Sequence, residues 1–252
     1  MKPRRSFFVL PSFVVIFLCL TGTVVLSAQP EVVQHRESLQ VGAETRYYTV
    51  SHLKNMEAPK PCPLILAFHG YRGDVKTWFY EGAAFDSQIS KTPFVIAYPE
   101  GPVGWSIKPE GRDLRFFDAL VAEMKKTYSI DPARIYVIGH SNGAAFSSSL
   151  LLARAEVIAA AVAHSGIAPL GYLSSVPEAK RPLLVILGEK DPFASPESPF
   201  VQAQIARFRK LGFPVETILI PDWGHPWASP EHHIEEKVLA FLFAHPLPSP
   251  KK

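Results

Sequence analysis

The chain of 252 residues carries 26 Lys+Arg against 23 Asp+Glu, and Lys2, Arg4 and Arg5 account for the excess. Beyond residue 28 bases and acids balance at 23 each, so no cluster of positive charge is on offer to phosphates and a nucleic-acid partner is excluded as a working reading. Two cysteines, Cys19 and Cys62, leave no intramolecular disulfide once Cys19 is set aside with the leader, so about 220 residues must cohere through one apolar core, as a single domain over 29–252.

The leader itself reads as basic residues, an apolar run over 7–26, and small Ser27-Ala28 before Gln29-Pro30-Glu31. That order is the pattern of a secretory signal peptide, here residues 1–28, and implies export to the periplasm or the cell exterior. An uncleaved anchor is the competing reading, since about twenty apolar residues can span a bilayer; a membrane is a partner only in that case. Arg4-Arg5 leaves twin-arginine export open as a route.

Residues 31–40 are polar and irregular. Residues 45–50 alternate as a half-exposed strand does, and 64–68 (Leu-Ile-Leu-Ala-Phe) form the continuous apolar run of a strand buried on both faces. The turn-rich His69-Gly70-Tyr71-Arg72-Gly73-Asp74 follows, then a helix over about 75–89 and a buried strand over 94–98. Leu114, Phe117, Val121, Met124 and Tyr128 recur every three or four residues, the spacing of an amphipathic helix over 113–128. A strand at 135–138 runs into a helix at 144–155, and strands follow at 158–163, 183–187 and 215–220. Helices are predicted over 197–211, stopped by Gly212, and over 230–243, with Ser229 as N-cap and Pro230 in the first turn. Alternation of this kind predicts an α/β fold: a mostly parallel, twisted sheet with helices on both faces. Only about twenty residues join the fourth and fifth buried strands, so no large lid domain is expected and the site should be open.

The strand at 135–138 ends in Gly139-His140-Ser141-Asn142-Gly143, a G-x-S-x-G at a strand-to-helix turn. A serine at the apex of such a turn has its hydroxyl lifted above the strand ends, and the glycines on either side leave room for the tight backbone. The N–H of Asn142 then points to where a substrate carbonyl would gain negative charge.

A serine hydroxyl needs a base to take its proton, and the base needs a third group to fix its tautomer. In a sheet of this order, groups able to reach Ser141 sit past the carboxyl ends of later strands. Gly188-Glu189-Lys190-Asp191-Pro192 follows the fifth and Pro221-Asp222-Trp223-Gly224-His225-Pro226-Trp227 the sixth. His225 is the expected base and Asp191 its orienting acid, with Glu189 as a substitute; Asp222 stands too near His225 along the chain to come first. His35, His52, His232, His233 and His245 read as surface residues, and His69 and His140 as structural props. A second oxyanion donor is expected at the N–H of Tyr71, where Gly70 lets backbone come close. Trp105, His164 and Trp227 are the expected substrate-pocket residues, and Trp78 and Trp223 read as core or loop anchors.

Together, His69-Gly70-Tyr71, Gly139-His140-Ser141-Asn142-Gly143, Asp191 and Gly224-His225-Pro226-Trp227 resemble the α/β-hydrolase fold, and within it the branch of polyhydroxybutyrate depolymerases and feruloyl esterases. The similarity spans roughly 45–243, with Leu187 standing where that branch usually has His. It implies a secreted serine hydrolase that cleaves carboxylic esters, of feruloyl, acetyl or short polyester type, through an acyl-enzyme. It implies no metal and no cofactor. A peptidase of the same fold and a non-catalytic secreted binding protein are the alternatives; the oligomeric state is left open.

Overall fold

The computed structural model describes residues 30–55, 60–72, 85–106, 111–170 and 176–248. The expected leader, Trp78 and most of the helix expected over 75–89 lie outside the described residues.

Eight strands make one sheet: β1 (Val32–Val41), β2 (Glu44–Leu53), β3 (Cys62–Phe68), β4 (Val95–Pro99), β5 (Ile130–His140), β6 (Ala160–His164), β7 (Leu183–Gly188) and β8 (Val215–Ile220). Their order across the sheet is β1-β2-β4-β3-β5-β6-β7-β8. The first two pairings are antiparallel and the other five parallel. Five α-helices are described: α1 (Phe85–Ile89), α2 (Arg112–Thr127), α3 (Asn142–Ala153), α4 (Pro199–Lys210) and α5 (Ile234–Phe243).

The apolar runs of the central strands explain the layering, because successive side chains of a strand point to opposite faces. Leu64, Leu66 and Phe68 of β3 join a core with Phe117 of α2, Phe146 of α3 and Phe208 of α4. Ile65 and Ala67, between them in sequence, join a second core with Phe85 of α1 and Val238 and Leu242 of α5. The sheet is therefore covered on both sides, as predicted. Removing one such side chain, as in Leu66→Ala, should destabilise the fold by about 2–5 kcal/mol.

Three expectations are corrected. Residues 31–40, read as irregular, form the edge strand β1, which pairs with β2 from Val32↔Leu53 to Val41↔Glu44 around a two-residue turn at Gly42 (φ 61°). No clean alternation marks β1 because, as an edge strand, it buries none of its residues fully. The elbow strand starts at Ile130 rather than 135; a register shift against β3 between Cys62 and Leu64 absorbs residues 131–134, which Asp131 organises by accepting from the Ala133 N–H and pairing with Arg134. The last helix is broken. A 3-10 turn at Pro230–His232 ends at His233 in the left-handed region (φ 51°), and α5 begins only at Ile234. Ser229 makes no side-chain cap; its hydroxyl meets the His232 Nδ1 instead.

Candidate active site

The parallel strands β3 and β5 to β8 all deliver their C-terminal ends to one rim of the sheet, and that rim is where the residues singled out by sequence meet. Ser141 follows β5 immediately, and its backbone takes φ 53° and ψ −115°. A non-glycine residue in such a conformation costs about 1–3 kcal/mol, which the surroundings must hold in place. They do so by close backbone packing: a Cβ on Gly139 would collide with the Gly143 carbonyl, and one on Gly143 would collide with the Phe68 carbonyl of β3. The Ser141 N–H is tied to the His164 carbonyl of β6 at 2.9 Å.

The Ser141 hydroxyl lies 2.9 Å from the His225 Nε2. On the far side of the ring, Nδ1 sits 3.0 and 2.9 Å from the two Asp191 carboxylate oxygens. A carboxylate only accepts, so Nδ1 carries the hydrogen and Nε2 presents a lone pair to the serine O–H. Asp191 is 2% exposed. Burial works to raise its pKa, but the N–H groups of Ala194 and Phe193, together with the His225 imidazole, outweigh it and hold the carboxyl below its ordinary value. The acid is thus kept charged against the ring it orients. Glu189, the alternative acid, points elsewhere and accepts from the Asp222 N–H at 2.8 Å. Asp222 itself is exposed and pairs with Lys190 at 2.7 Å.

The turn after β3 closes over the nucleophile, with the position of a Gly70 Cβ only 3.4 Å from the Ser141 Cβ. That turn is braced from loop 100–106. The Gly101 N–H donates to the His69 Nε2 at 2.9 Å, the Trp105 indole N–H donates to the His69 carbonyl at 2.8 Å, and the His69 Nδ1–H donates to the Gly70 carbonyl at 2.7 Å. His69 is therefore the prop that sequence suggested. Asn142 opens α3, where first-turn N–H groups have no partner within the helix. Its side chain grips loop 100–106 from below: Oδ1 accepts from the Trp105 N–H at 2.6 Å and Nδ2 donates to the Trp105 carbonyl at 3.2 Å.

His140 does more than pack. Its Nε2–H donates to the His225 carbonyl at 2.7 Å, so the residue before the nucleophile holds the backbone of the loop that carries the imidazole. Burial pushes the pKa of His140 down to about 4, and that of His164 well below the ordinary value; both rings are neutral at neutral pH.

The three residues expected to line the pocket lie deep in the structure. Trp105, His164 and Trp227 are each at least 95% buried. The Trp105 ring stacks on Phe146 (5.6 Å between centroids, 19° between planes), and the Trp227 ring stacks on His164 (4.5 Å, 25°) while its N–H donates to Glu235. An indole has one N–H, and in both tryptophans it is spent on an inward partner, which turns the rings into floor supports. Exposed side chains stand at the rim instead. Tyr71 is 63% exposed, and Phe193, which sequence reasoning passed over, lies edge-on to the His225 ring at 5.0 Å. Its only sequence signal is its place two residues after Asp191.

Comparison with known proteins bears on family and fold. The model of the family described as "Dienelactone hydrolase family" matches residues 105–240, more than half of the chain. Feruloyl esterase B of Neurospora crassa is 29% identical over 133 residues, 49% of this chain and 44% of that protein. A bifunctional acetylxylan esterase/xylanase of Neocallimastix patriciarum is 30% identical over 128 residues, 50% of this chain and 18% of that one. The chain therefore spans less than half the length of either relative. Among solved structures, the feruloyl esterase module from Clostridium thermocellum superposes with a TM-score of 0.69 at 14% identity, covering 89% of this chain and 92% of that one. A thermostable esterase gives 0.69 at 19% identity, covering 85% and 63%. At such identities the structures speak for the fold, which is the α/β-hydrolase fold.

Proposed function

The chain belongs to the dienelactone hydrolase family of α/β-hydrolases, and from that premise we propose that it is a serine esterase acting on carboxylic esters of the acetyl or feruloyl type. The observation that carries the reading is the unbroken chain from Ser141 Oγ through the His225 imidazole to the buried Asp191 carboxylate, with each link at 2.9–3.0 Å. Feruloyl and acetylxylan esterases among its relatives support the substrate class.

In the first half-reaction Ser141 Oγ attacks the ester carbonyl carbon while His225 Nε2 takes its proton. Asp191 stabilises the imidazolium, and the N–H groups of Asn142 and Tyr71 receive the negative oxygen of the tetrahedral intermediate. The intermediate collapses as the C–O bond to the alcohol breaks and His225 returns the proton to the departing oxygen. Water then repeats the sequence: His225 takes a proton from it, its oxygen attacks the acyl carbon, and the acid leaves as Ser141 recovers its proton.

Ser141→Ala is expected to lower kcat on short 4-nitrophenyl esters by about 10⁴-fold or more. Activity in that variant equal to the parent's would sink the proposal, as would failure of a fluorophosphonate to label Ser141. The basic, apolar and small-residue order of residues 1–28 further supports export by a cleaved signal peptide. N-terminal sequencing of protein recovered outside the cytoplasm tests this; a chain that still begins at Met1 would overturn it.

A further inference from the structure

Loop 100–106 touches both residues whose N–H groups receive the oxyanion. It braces the turn that leads to Tyr71, and the side chain of Asn142 grips it in return. The two ends of the loop are fastened by two side chains from outside the triad. Arg46 of β2 donates from Nη2 to the Glu100 carbonyl at 3.2 Å, and Asp113 of α2 accepts from the Ser106 N–H at 2.8 Å. These two side chains form an ion pair with each other, Nη1 to Oδ1 at 3.0 Å.

The pair is buried, with Arg46 6% and Asp113 1% exposed. The guanidinium lies 4.2 Å from the centre of the Phe116 ring, and the partly exposed Arg112 comes within 3.4 Å of the same carboxylate. Withdrawing two charges from water is costly, and an apolar pair of similar volume often holds a core as well or better. An apolar pair cannot, however, donate to one end of a loop and accept from the other.

The effect of the pair reaches the oxyanion site through one ring and one peptide plane. Because the Gly101 N–H donates to His69 Nε2, the ring hydrogen sits on Nδ1 and is donated to the Gly70 carbonyl at 2.7 Å. That carbonyl and the Tyr71 N–H belong to the same planar trans peptide unit, so they point in opposite directions. Fixing the one aims the other. A displaced Gly101 would release the His69 tautomer and with it the direction of the Tyr71 donor.

Resting on the esterase reading above, we infer that Arg46 and Asp113 are positioning residues for the oxyanion hole: the pair sets loop 100–106, the loop selects the His69 tautomer, and that ring aims the Tyr71 N–H. The pair therefore acts on the transition state, in which the carbonyl oxygen gains charge, and not on binding of the neutral ester.

Two variants separate this role from a merely structural one. Arg46→Met combined with Asp113→Leu keeps the core filled and removes both fastenings, whereas Asp113→Asn keeps an oxygen for the Ser106 N–H. Each is compared with the parent on 4-nitrophenyl acetate, with kcat counted per serine labelled at completion by a fluorophosphonate, which cancels any loss of folded protein. In the double variant kcat is expected to fall about 10–100-fold with KM little changed, and in Asp113→Asn to fall by less. Inhibition by a trifluoromethyl ketone, whose adduct with Ser141 carries an anionic oxygen in the same place, should weaken by the same factor as kcat. The parent's kcat per labelled serine in the double variant would overturn the assignment. So would a fall in kcat that leaves the ketone's inhibition unchanged, or an equal fall in both variants, which would trace the effect to charge and not to the fastened loop. A parent that neither hydrolyses the ester nor takes the label would count instead against the esterase reading itself.

Discussion

The elbow that carries Ser141 is fixed chiefly by backbone packed against backbone, whereas the loop that carries His225, though its Trp223 and Gly224 carbonyls pack closely on Gly188, also depends on side-chain hydrogen bonds from its neighbours. At the elbow, the Gly139, Gly143 and Phe68 main chains leave no room even for a methyl group. In the histidine loop, His140 holds the His225 carbonyl, the Lys190 N–H holds the Trp223 carbonyl, and Asp191 holds the ring. The nucleophile needs one strained conformation and receives it from rigid contacts. The base needs a tautomer and an orientation, and those are conferred by groups that a single substitution can remove.

The largest expected break in that arrangement comes on the histidine side. Asp191→Asn keeps the shape but offers Nδ1 a donor or a weaker acceptor, which favours the tautomer with its hydrogen on Nε2, facing Ser141. kcat should fall about 10⁴-fold with little loss of folded protein; a fall of less than tenfold would show that the carboxylate does not select the tautomer.

A smaller break is expected from His140→Ala, which removes the donor from the His225 carbonyl. kcat should fall about tenfold with KM little changed, because the acyl and alcohol contacts are untouched. The same residue sharpens the comparison through pH. Unfolded, its imidazole takes a proton as pH drops below its ordinary value of 6.5, while the folded protein resists until about 4. The unfolded state therefore binds more protons in that window, and native stability declines as pH falls from 6.5 towards 4, by at most about 1.4 kcal/mol per pH unit for this site. His164, held neutral by the same burial, acts in the same direction. Denaturation midpoints measured from pH 7 to 4.5 should fall more steeply in the parent than in His140→Gln; parallel curves would contradict the assignment.

The smallest effect on stability is expected at the elbow and has the opposite sign. Ser141→Gly removes the hydroxyl and with it turnover, yet relieves the φ 53° strain, so thermal unfolding should show a gain of about 1 kcal/mol. A loss of stability would mean that the serine side chain itself anchors the turn.

Much of this was open to reading in the chain alone. The buried strands were, because four or five consecutive apolar residues have few other uses, and so were Ser141 and Asp191, because each follows such a strand; His225 was legible as the histidine just past the last strand, β8, whose Glu216 and Thr217 interrupt any apolar run. Strand β1 was not, since an edge exposed to water imposes no alternation on its residues. The break at His233 escaped because nothing in a polar Glu-His-His run distinguishes a left-handed residue from a helical one. The burial of Trp105 and Trp227 was not legible for a related reason: composition announces a large ring near the site but says nothing about which way its N–H turns. Phe193 was invisible because exposure is a property of the folded surface, and an apolar residue after Asp-Pro carries no period.

Asn142 is joined at both ends of its carboxamide to the main chain of Trp105. Transplanting the pentapeptide around Ser141 into another scaffold would therefore leave that side chain without its counterpart, and loop 100–106 would have to travel with it. For the same reason an Asn142→Asp exchange would face a carbonyl with a second acceptor, so a lineage that altered this site would need matching changes on a separate stretch of chain.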